Sequence, residues 1–543
     1  MLKEKVILIL ENTLNKLYPE IPLEIICDTP KNLQHGDISV NVAMQLAKPL
    51  GKPPRLIAEE IIENIQSDSQ VIENIEIAGP GFINFKFNKS FINSSLSKIL
   101  ELGVNYGRQN IGTGKNVNVE YVSANPTGLL HLGHGRNAVI GDTVANLYQW
   151  LGFNVTREYY FNNAGNQMNN LAKSIFARYM QIENPDYDFP EDGYHGEYIK
   201  LIAEDLKKEF PIELRGEEKE VLELCRKKGE EWCFAKIKQT LQRMQISQDI
   251  FYNEDSLYKD GKIEEVIQIF KNLGLAYEKD GALWLKLSEM GLENDRVIVK
   301  SSGEPTYRLP DIAYHREKFR RGYDLIVDVF GADHIATVPD VIAGVKALGY
   351  EPDKVKVLIH QFVSLTENGE LVKMSKRTGK SYTLDDLLEE VGEDVVRFFL
   401  LMRGIGTHLE FDLSLAREQS DKNPVFYLQY AHARICSIFD KAGEIDLKNV
   451  DLSLLNSEEE QNLIKKIFLF PETIRASANK FEAQILTEYL RDLAGLFHVF
   501  YHNCRIIGSE YNLANARLSL ALATRNVLSN GLKILGISAP ERM

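Results

Sequence analysis

Two short clusters, far apart in the chain, carry side chains suited to handling a polyphosphate. The first is Ala124-Asn125-Pro126-Thr127-Gly128-Leu129-Leu130-His131-Leu132-Gly133-His134. It lies where a strand-like stretch hands over to a helical one. Backbone N–H groups at a helix start are unpaired and the dipole there is positive, so an anion is favoured. Gly133 lets a purine ring approach the backbone. Two imidazoles three residues apart share a helix face and can hydrogen-bond a phosphate in its pentavalent state. A metal-binding pair is the rival reading, but no third ligand of suitable spacing is evident. The second cluster is Lys373-Met374-Ser375-Lys376-Arg377, followed by Gly379-Lys380. Two ammonium groups and a hydroxyl there can clamp the β- and γ-phosphates as pyrophosphate leaves. Alone this would read as a solvated basic loop. Following the histidines in this order, it reads as the second half of a nucleotide site.

The elements that must position these residues are legible around them. Val117–Val122 reads as a buried strand, about Gly133 to Leu151 as a helix and Phe153–Tyr160 as the next strand. That order is the first half of a nucleotide-binding α/β unit. From Ala164 to Arg243 the pattern is helical and heavily charged, as in an insertion. Strand-like runs return at Ala282–Leu287, Val297–Lys300, Leu325–Val329 and Lys356–Val363 and are expected in a parallel sheet. Gly331-Ala332-Asp333-His334 ends one of them. Upstream, Lys5–Leu17 and Pro54–Ile65 have helical periodicity, and Ile75–Phe87 alternates like a strand around a Gly79-Pro80-Gly81 turn. After Gly404 the strand signals stop. Asn423–Phe439, Glu458–Ser477, Ala483–Ile507 and Asn512–Leu535 read as amphipathic helices.

At 543 residues the chain is too long for one core and should hold three or four domains. The net charge of −14 argues against a bulk polyanion binder. The acidic excess lies upstream, because residues 417–543 hold 15 Lys plus Arg and 15 Asp plus Glu. A nucleic acid would therefore be recognised locally and by shape. Cys27, Cys225, Cys233, Cys436 and Cys504 are too scattered for a zinc framework or a disulfide ladder, so we expect no structural zinc and a reducing, cytoplasmic setting. No apolar run approaches membrane-spanning length, and the N-terminal segment lacks a cleavable signal pattern.

Together the two clusters resemble the signatures of class I aminoacyl-tRNA synthetases. The likeness extends to one branch. Val119-Glu120-Tyr121-Val122-Ser123-Ala124-Asn125-Pro126-Thr127-Gly128, Thr156-Arg157-Glu158-Tyr159-Tyr160-Phe161-Asn162-Asn163-Ala164-Gly165-Asn166-Gln167, Gln429-Tyr430-Ala431-His432-Ala433-Arg434 and the ending Ala539-Pro540-Glu541-Arg542-Met543 resemble arginyl-tRNA synthetases. So does Gly36-Asp37 with Asn41-Val42-Ala43, which is similar to that family's extra N-terminal domain. The resemblance implies an α/β fold with three parts. These are an α+β N-terminal domain over residues 1–112 that grips the tRNA elbow, a Rossmann-type parallel-sheet catalytic domain over 113–415 with a helical insertion near 165–245, and an all-α anticodon-binding domain over 416–543.

The same resemblance implies roles. His131, His134, Lys373 and Lys376 would be catalytic, and Gly133, Met374, Ser375, Asp333 and His334 would hold ATP. A turn aspartate capping the next helix is the competing reading of Asp333. Arginine would be held by Glu120, Ser123, Asn125, Glu254, Tyr307 and Asp311. Tyr307 and Asp311 match a Tyr-x-x-x-Asp motif whose spacing places both on one helix face. Glu254 follows Tyr252-Asn253, where the family usually has an aromatic residue and serine. Phe82 and Asn84 would meet a D-loop base, and Tyr427, Arg434 and Met543 the anticodon. The implied substrates are L-arginine, tRNA(Arg) and ATP with Mg2+, and activation is expected to require bound tRNA. A monomer with no membrane partner is expected. A class I synthetase for another amino acid and a noncatalytic tRNA-binding paralogue remain the alternatives.

Overall fold

Five strands form the central sheet, all parallel. From one edge to the other they are Val355–His360, Leu325–Gly331, Asn116–Glu120, Asn154–Phe161 and Ile250–Asn253. The coordinates are a computed structural model describing residues 2–28, 30, 36–210, 218–372, 382–442 and 450–543. Val117, Val119, Ile326, Val327 and Val329 have essentially no exposure, as expected of strands covered on both faces. The chain builds outward from Asn116–Glu120 to one side and later returns to its other side at Leu325–Gly331. The strand order therefore reverses between these two, and ligands of open α/β sheets bind at the carboxyl ends beside such a reversal.

The helix Leu132–Trp150 follows the first of these strands and is buried on nearly every side. That is the signature of a helix sandwiched in a core rather than lying on a surface. Packed against this helix are Glu393–Leu401 and Tyr511–Ile534. Arg397 ties them together. Its guanidinium donates to Asp142 Oδ2 at 2.5 Å, to the Met244 carbonyl at 2.7 Å and to the Leu535 carbonyl at 2.9 Å.

The sequence reading needs several corrections here. Ala282–Leu285 and Arg296–Val299 do not join the parallel sheet. With Ala276–Lys279 they form a separate antiparallel one. Their short hairpins bury Leu283, Leu285 and Ile298 in a satellite core with Leu309, Ile312 and Tyr314, which seats the helix Arg308–Arg320. Strand structure also continues past Gly404: Leu409–Asp412 pairs in parallel with Val363–Glu367. The expected strand Val117–Val122 stops at Glu120, because Val122 and Ser123 have φ of 69° and 45°. The helical insertion is as expected, with helices Gly165–Gln181, Glu197–Glu209 and Glu218–Arg243 and a core of its own.

Ahead of the central sheet lies a four-stranded antiparallel sheet, Cys27–Asp28, Ile38–Val40, Phe82–Phe87 and Ile72–Ala78, backed by helices. After it come the helices Pro424–Ala442, Glu458–Phe468, Phe470–Lys480, Ala483–Asn503 and Tyr511–Ile534. The expected single helix Glu458–Ser477 is interrupted at Leu469, just before Pro471 opens the next helix.

Candidate active site

A cavity of about 820 Å³ opens at the carboxyl ends of the parallel strands, beside the reversal in strand order. That is room for a nucleotide and an amino acid together. Its floor starts at the strained turn after Glu120. A β-branched residue at positive φ, such as Val122, costs on the order of 1–3 kcal/mol unless its surroundings impose it. Here Asn137, on the helix Leu132–Trp150, imposes it. Asn137 accepts from the Val122 N–H at 2.6 Å and donates to the Val329 carbonyl at 2.7 Å, tying the ends of the two central strands together. The turn aims Ser123 back at Glu120, where its hydroxyl donates to Oε1 at 3.0 Å and accepts from the Tyr160 N–H at 3.2 Å.

On one wall, His131 caps the helix. Its Nδ1 accepts from the Gly133 N–H at 3.1 Å, while His134 Nδ1 accepts from the His131 N–H at 3.3 Å. The rings stack with centroids 3.8 Å apart. With both Nδ1 atoms accepting, the hydrogen-bond network assigns the ring protons to Nε2. Burial lowers the pKa of both, and for His134 burial with the neighbouring His131 and His360 brings it to about 3. Both are therefore neutral donors at physiological pH. A side chain at Gly133 would meet the His131 ring at 3.0 Å, so glycine lets that ring fold over its own turn.

The acids line the opposite wall. Asp311 sits in the first turn of Arg308–Arg320, and its carboxylate has no side-chain hydrogen bond or ion pair among the described residues. Burial pushes its pKa up to about 7, with Glu120 and Glu254 adding to the rise and His315 and Lys318 opposing it. Glu254 accepts from Tyr160 at 2.7 Å and from Asn162 at 2.9 Å, and burial raises its pKa too. Tyr307 is the residue preceding the helix and shares the cavity with Asp311, but its ring stands 87% exposed at the mouth. Asn125 faces the cavity, donates to Gln167 at 2.9 Å and accepts from the Asn162 N–H at 3.0 Å.

At the far end, Asp333 and His334 form an exposed single turn after the strand Leu325–Gly331. Asp333 caps no helix, since the next helix starts at Thr337 without a side-chain cap, so the competing reading of this residue fails. Lys373, Met374, Ser375 and Lys376 lie outside the described residues.

Every other expected catalytic, nucleotide or arginine residue lines this one cavity. The sequence reading missed Asn137, Tyr160, Asn162, Gln167, Tyr314 and His360, which line it as well, and Lys318 just behind Glu120. Tyr160, Asn162 and Gln167 lay inside a quoted stretch but had no assigned role, because only the fold brings them to the acids.

The remaining expected contacts lie away from the cavity. Phe82 is 38% exposed on the N-terminal sheet, while Asn84 is buried with an unpaired Oδ1. In the helical C-terminal part, Tyr427 packs on His498 at 4.8 Å, and Arg434 lies against Tyr430 and Tyr501 at 4.6 and 5.0 Å. Met543 is 54% exposed.

Comparison with known proteins matches three successive stretches of the chain. Residues 4–87 match a family model described as arginyl tRNA synthetase N terminal domain. Residues 95–399 match tRNA synthetases class I (R), catalytic domain, and 428–543 match DALR anticodon binding domain. The Arginine--tRNA ligase of Salinibacter ruber is 48% identical over 542 residues, with 96% of each chain covered. That of Carboxydothermus hydrogenoformans is 46% identical over 522 residues, covering 95% of this chain and 94% of its own. The solved structure of Thermus thermophilus arginyl-tRNA synthetase superposes with a TM-score of 0.81 over all of both chains at 23% identity, which speaks to the fold.

Proposed function

The chain belongs to the arginyl-tRNA synthetases, which attach L-arginine to tRNA through an arginyl-adenylate, and from that premise we propose how its cavity divides the work. One oxygen of the arginine carboxylate attacks the α-phosphorus of ATP, the bond to the pyrophosphate bridge breaks, and arginyl-adenylate and pyrophosphate result. The terminal adenosine 2′-OH of tRNA(Arg) then attacks the activated carbonyl, and AMP leaves. No covalent bond to the protein forms, so positioning and electrostatics supply the acceleration.

His131 and His134 donate Nε2–H bonds to the phosphates as charge builds on them. Being neutral, they gain most when that charge appears, which is the condition for lowering the barrier rather than merely binding ATP. Lys373 and Lys376 neutralise the departing pyrophosphate, Met374 and Ser375 help to hold the ATP, and Gly133 admits the adenine. Asp333 and His334 take the ribose. Mg2+, when bound with ATP, would supply further positive charge against the phosphates that these residues face. Phe82 and Asn84 meet the tRNA elbow, and Tyr427, Arg434 and Met543 the anticodon.

Asp311 carries the assignment of the amino acid end. A half-buried carboxylate without an ion-pair partner leaves its charge uncompensated, and a planar, permanently charged guanidinium satisfies it bidentately. Glu254 flanks the guanidinium, Tyr307 covers it at the mouth, and Glu120, Ser123 and Asn125 receive the α-amino end. Asp311→Asn keeps the shape and removes the charge. It should raise the KM for arginine by about 2–5 kcal/mol of binding, with the KM for ATP within about twofold. Steady-state kinetics with each substrate varied in turn measures both. An arginine KM within about twofold of the parent would move the guanidinium elsewhere.

A further inference from the structure

Behind the cavity lies a buried ionic layer of which only Glu120 touches substrate on the reading above. Lys318 has no exposure. Its ammonium donates to Glu120 Oε2 at 2.5 Å and to Asp328 Oδ1 at 2.6 Å, and lies over the Tyr314 ring at 4.3 Å. His315 pairs with the other oxygen of Asp328 at 2.9 Å, and its Nδ1 is 2.7 Å from the backbone carbonyl of Asp311. Glu158 is held by both nitrogens of Arg321 at 2.8 Å and accepts from Tyr314 at 2.7 Å and Asn118 at 2.5 Å.

Acidic and basic groups alternate through this layer. Burial opposes charge on His315, but Asp328 outweighs it and raises its pKa. Asp328 lies well below the usual carboxylate range: burial would raise it, but Lys318 and His315 overcome that. Glu158 is likewise held low by Arg321 and Lys318 against burial. Glu120, Asp328 and Glu158 thus face Lys318, His315 and Arg321, while Asp311 and Glu254 have no ion pair among the described residues. Glu120 is the member that also opens into the cavity, through the oxygen that accepts from Ser123. Desolvation pushes its carboxyl towards the neutral form, and Lys318 is the nearest group pulling the other way.

We propose that Lys318 is a positioning residue for arginine recognition, holding Glu120 ionised and turned so that its free edge faces the α-ammonium of the amino acid. The lysine never touches substrate. It fixes one oxygen of Glu120 so that the other has a single orientation.

This inference rests on the cavity's being the arginine site, so its test runs beside Asp311→Asn. Lys318→Met should raise the KM for arginine roughly tenfold or more, as expected when a buried charge loses its partner. The KM for ATP should stay within about twofold. Its arginine KM should also climb at a higher pH than in the parent, because Glu120 loses the cation that opposes its protonation. Lys318→Arg should recover part of the loss. A residue that only stabilised the fold would lower the melting temperature and disturb both substrates alike.

Lys318→Met strands a buried carboxylate and can cost folding, so Glu120→Gln is compared with the double variant Glu120→Gln/Lys318→Met, where charge is removed in a pair. The two should share one arginine KM, because Lys318 acts through Glu120. A further tenfold rise in the double variant, or an unchanged arginine KM in Lys318→Met while Asp311→Asn raises it, would overturn the role of Lys318. If Asp311→Asn also leaves arginine untouched, the site assignment itself fails.

Discussion

Asp311 faces the cavity with a carboxyl whose pKa burial brings to about 7, against an ordinary value of 3.8. Below that pH the free enzyme holds a neutral acid there, which cannot form an ion pair with a guanidinium. The KM for arginine should therefore fall as pH rises through about 7 and level off above it. On the acid side it should climb by up to roughly tenfold per pH unit, as for one linked proton. The groups that face Asp311 and set this point are Glu120, Glu254, His315 and Lys318. Asp311→Asn should abolish the slope. An arginine KM that is flat from about pH 5.5 to 8 in the parent would show that Asp311 does not titrate against the ligand. At this scale the residues in signature spacings were legible, since the histidine pair and the Tyr-x-x-x-Asp motif each pair side chains within one turn. Lys318 was not. Arg316, Glu317, Lys318, Arg320 and Arg321 form one charged run, and nothing local separates Lys318, fully buried, from Arg320, 52% exposed.

One strand exit, at Glu120, sets the geometry of the arginine end, and it is built against local preference. Val122 is β-branched and reads as strand, yet it adopts positive φ because Asn137 captures its N–H and ties it to the Val329 carbonyl. Asn137→Ala leaves two buried backbone groups without a partner, so it should cost about 1–3 kcal/mol for each. It should also raise the KM for arginine, by freeing Ser123 and Glu120 from their turn. Denaturant unfolding and arginine kinetics measure the two effects. A loss of less than about 0.5 kcal/mol, the range of ordinary surface changes, would mean that the turn holds itself. Periodicity found the long helices and four of the five parallel strands, because their burial repeats over many residues. It misassigned Ala282–Leu285 and Arg296–Val299 and missed Ile250–Asn253 and Leu409–Asp412, where four-residue strands have too few positions to reveal their partners.

At the scale of the molecule, the reaction site and the C-terminal helices are physically continuous. Asp142, in the helix that begins with the histidines, reaches the Leu535 carbonyl through Arg397, and Asn146 in the same helix donates to the Ile534 carbonyl at 3.1 Å. These contacts join positions hundreds of residues apart, which is why sequence showed three regions but not how they meet. The acidic upstream part and the charge-balanced C-terminal region fit local recognition of tRNA by shape and by a few aromatic and arginine side chains rather than by bulk charge. The central claim is that this whole chain charges tRNA with arginine through the cavity at its sheet's carboxyl end. Its most direct test is aminoacylation of unfractionated tRNA by the purified protein and MgATP, with each of the twenty amino acids offered singly and acid-precipitable label counted. Arginine alone should be attached, and Asp311→Asn should lose that attachment at low arginine. Stable attachment of a different amino acid, or an arginine signal no higher than the enzyme-free blank, would contradict it.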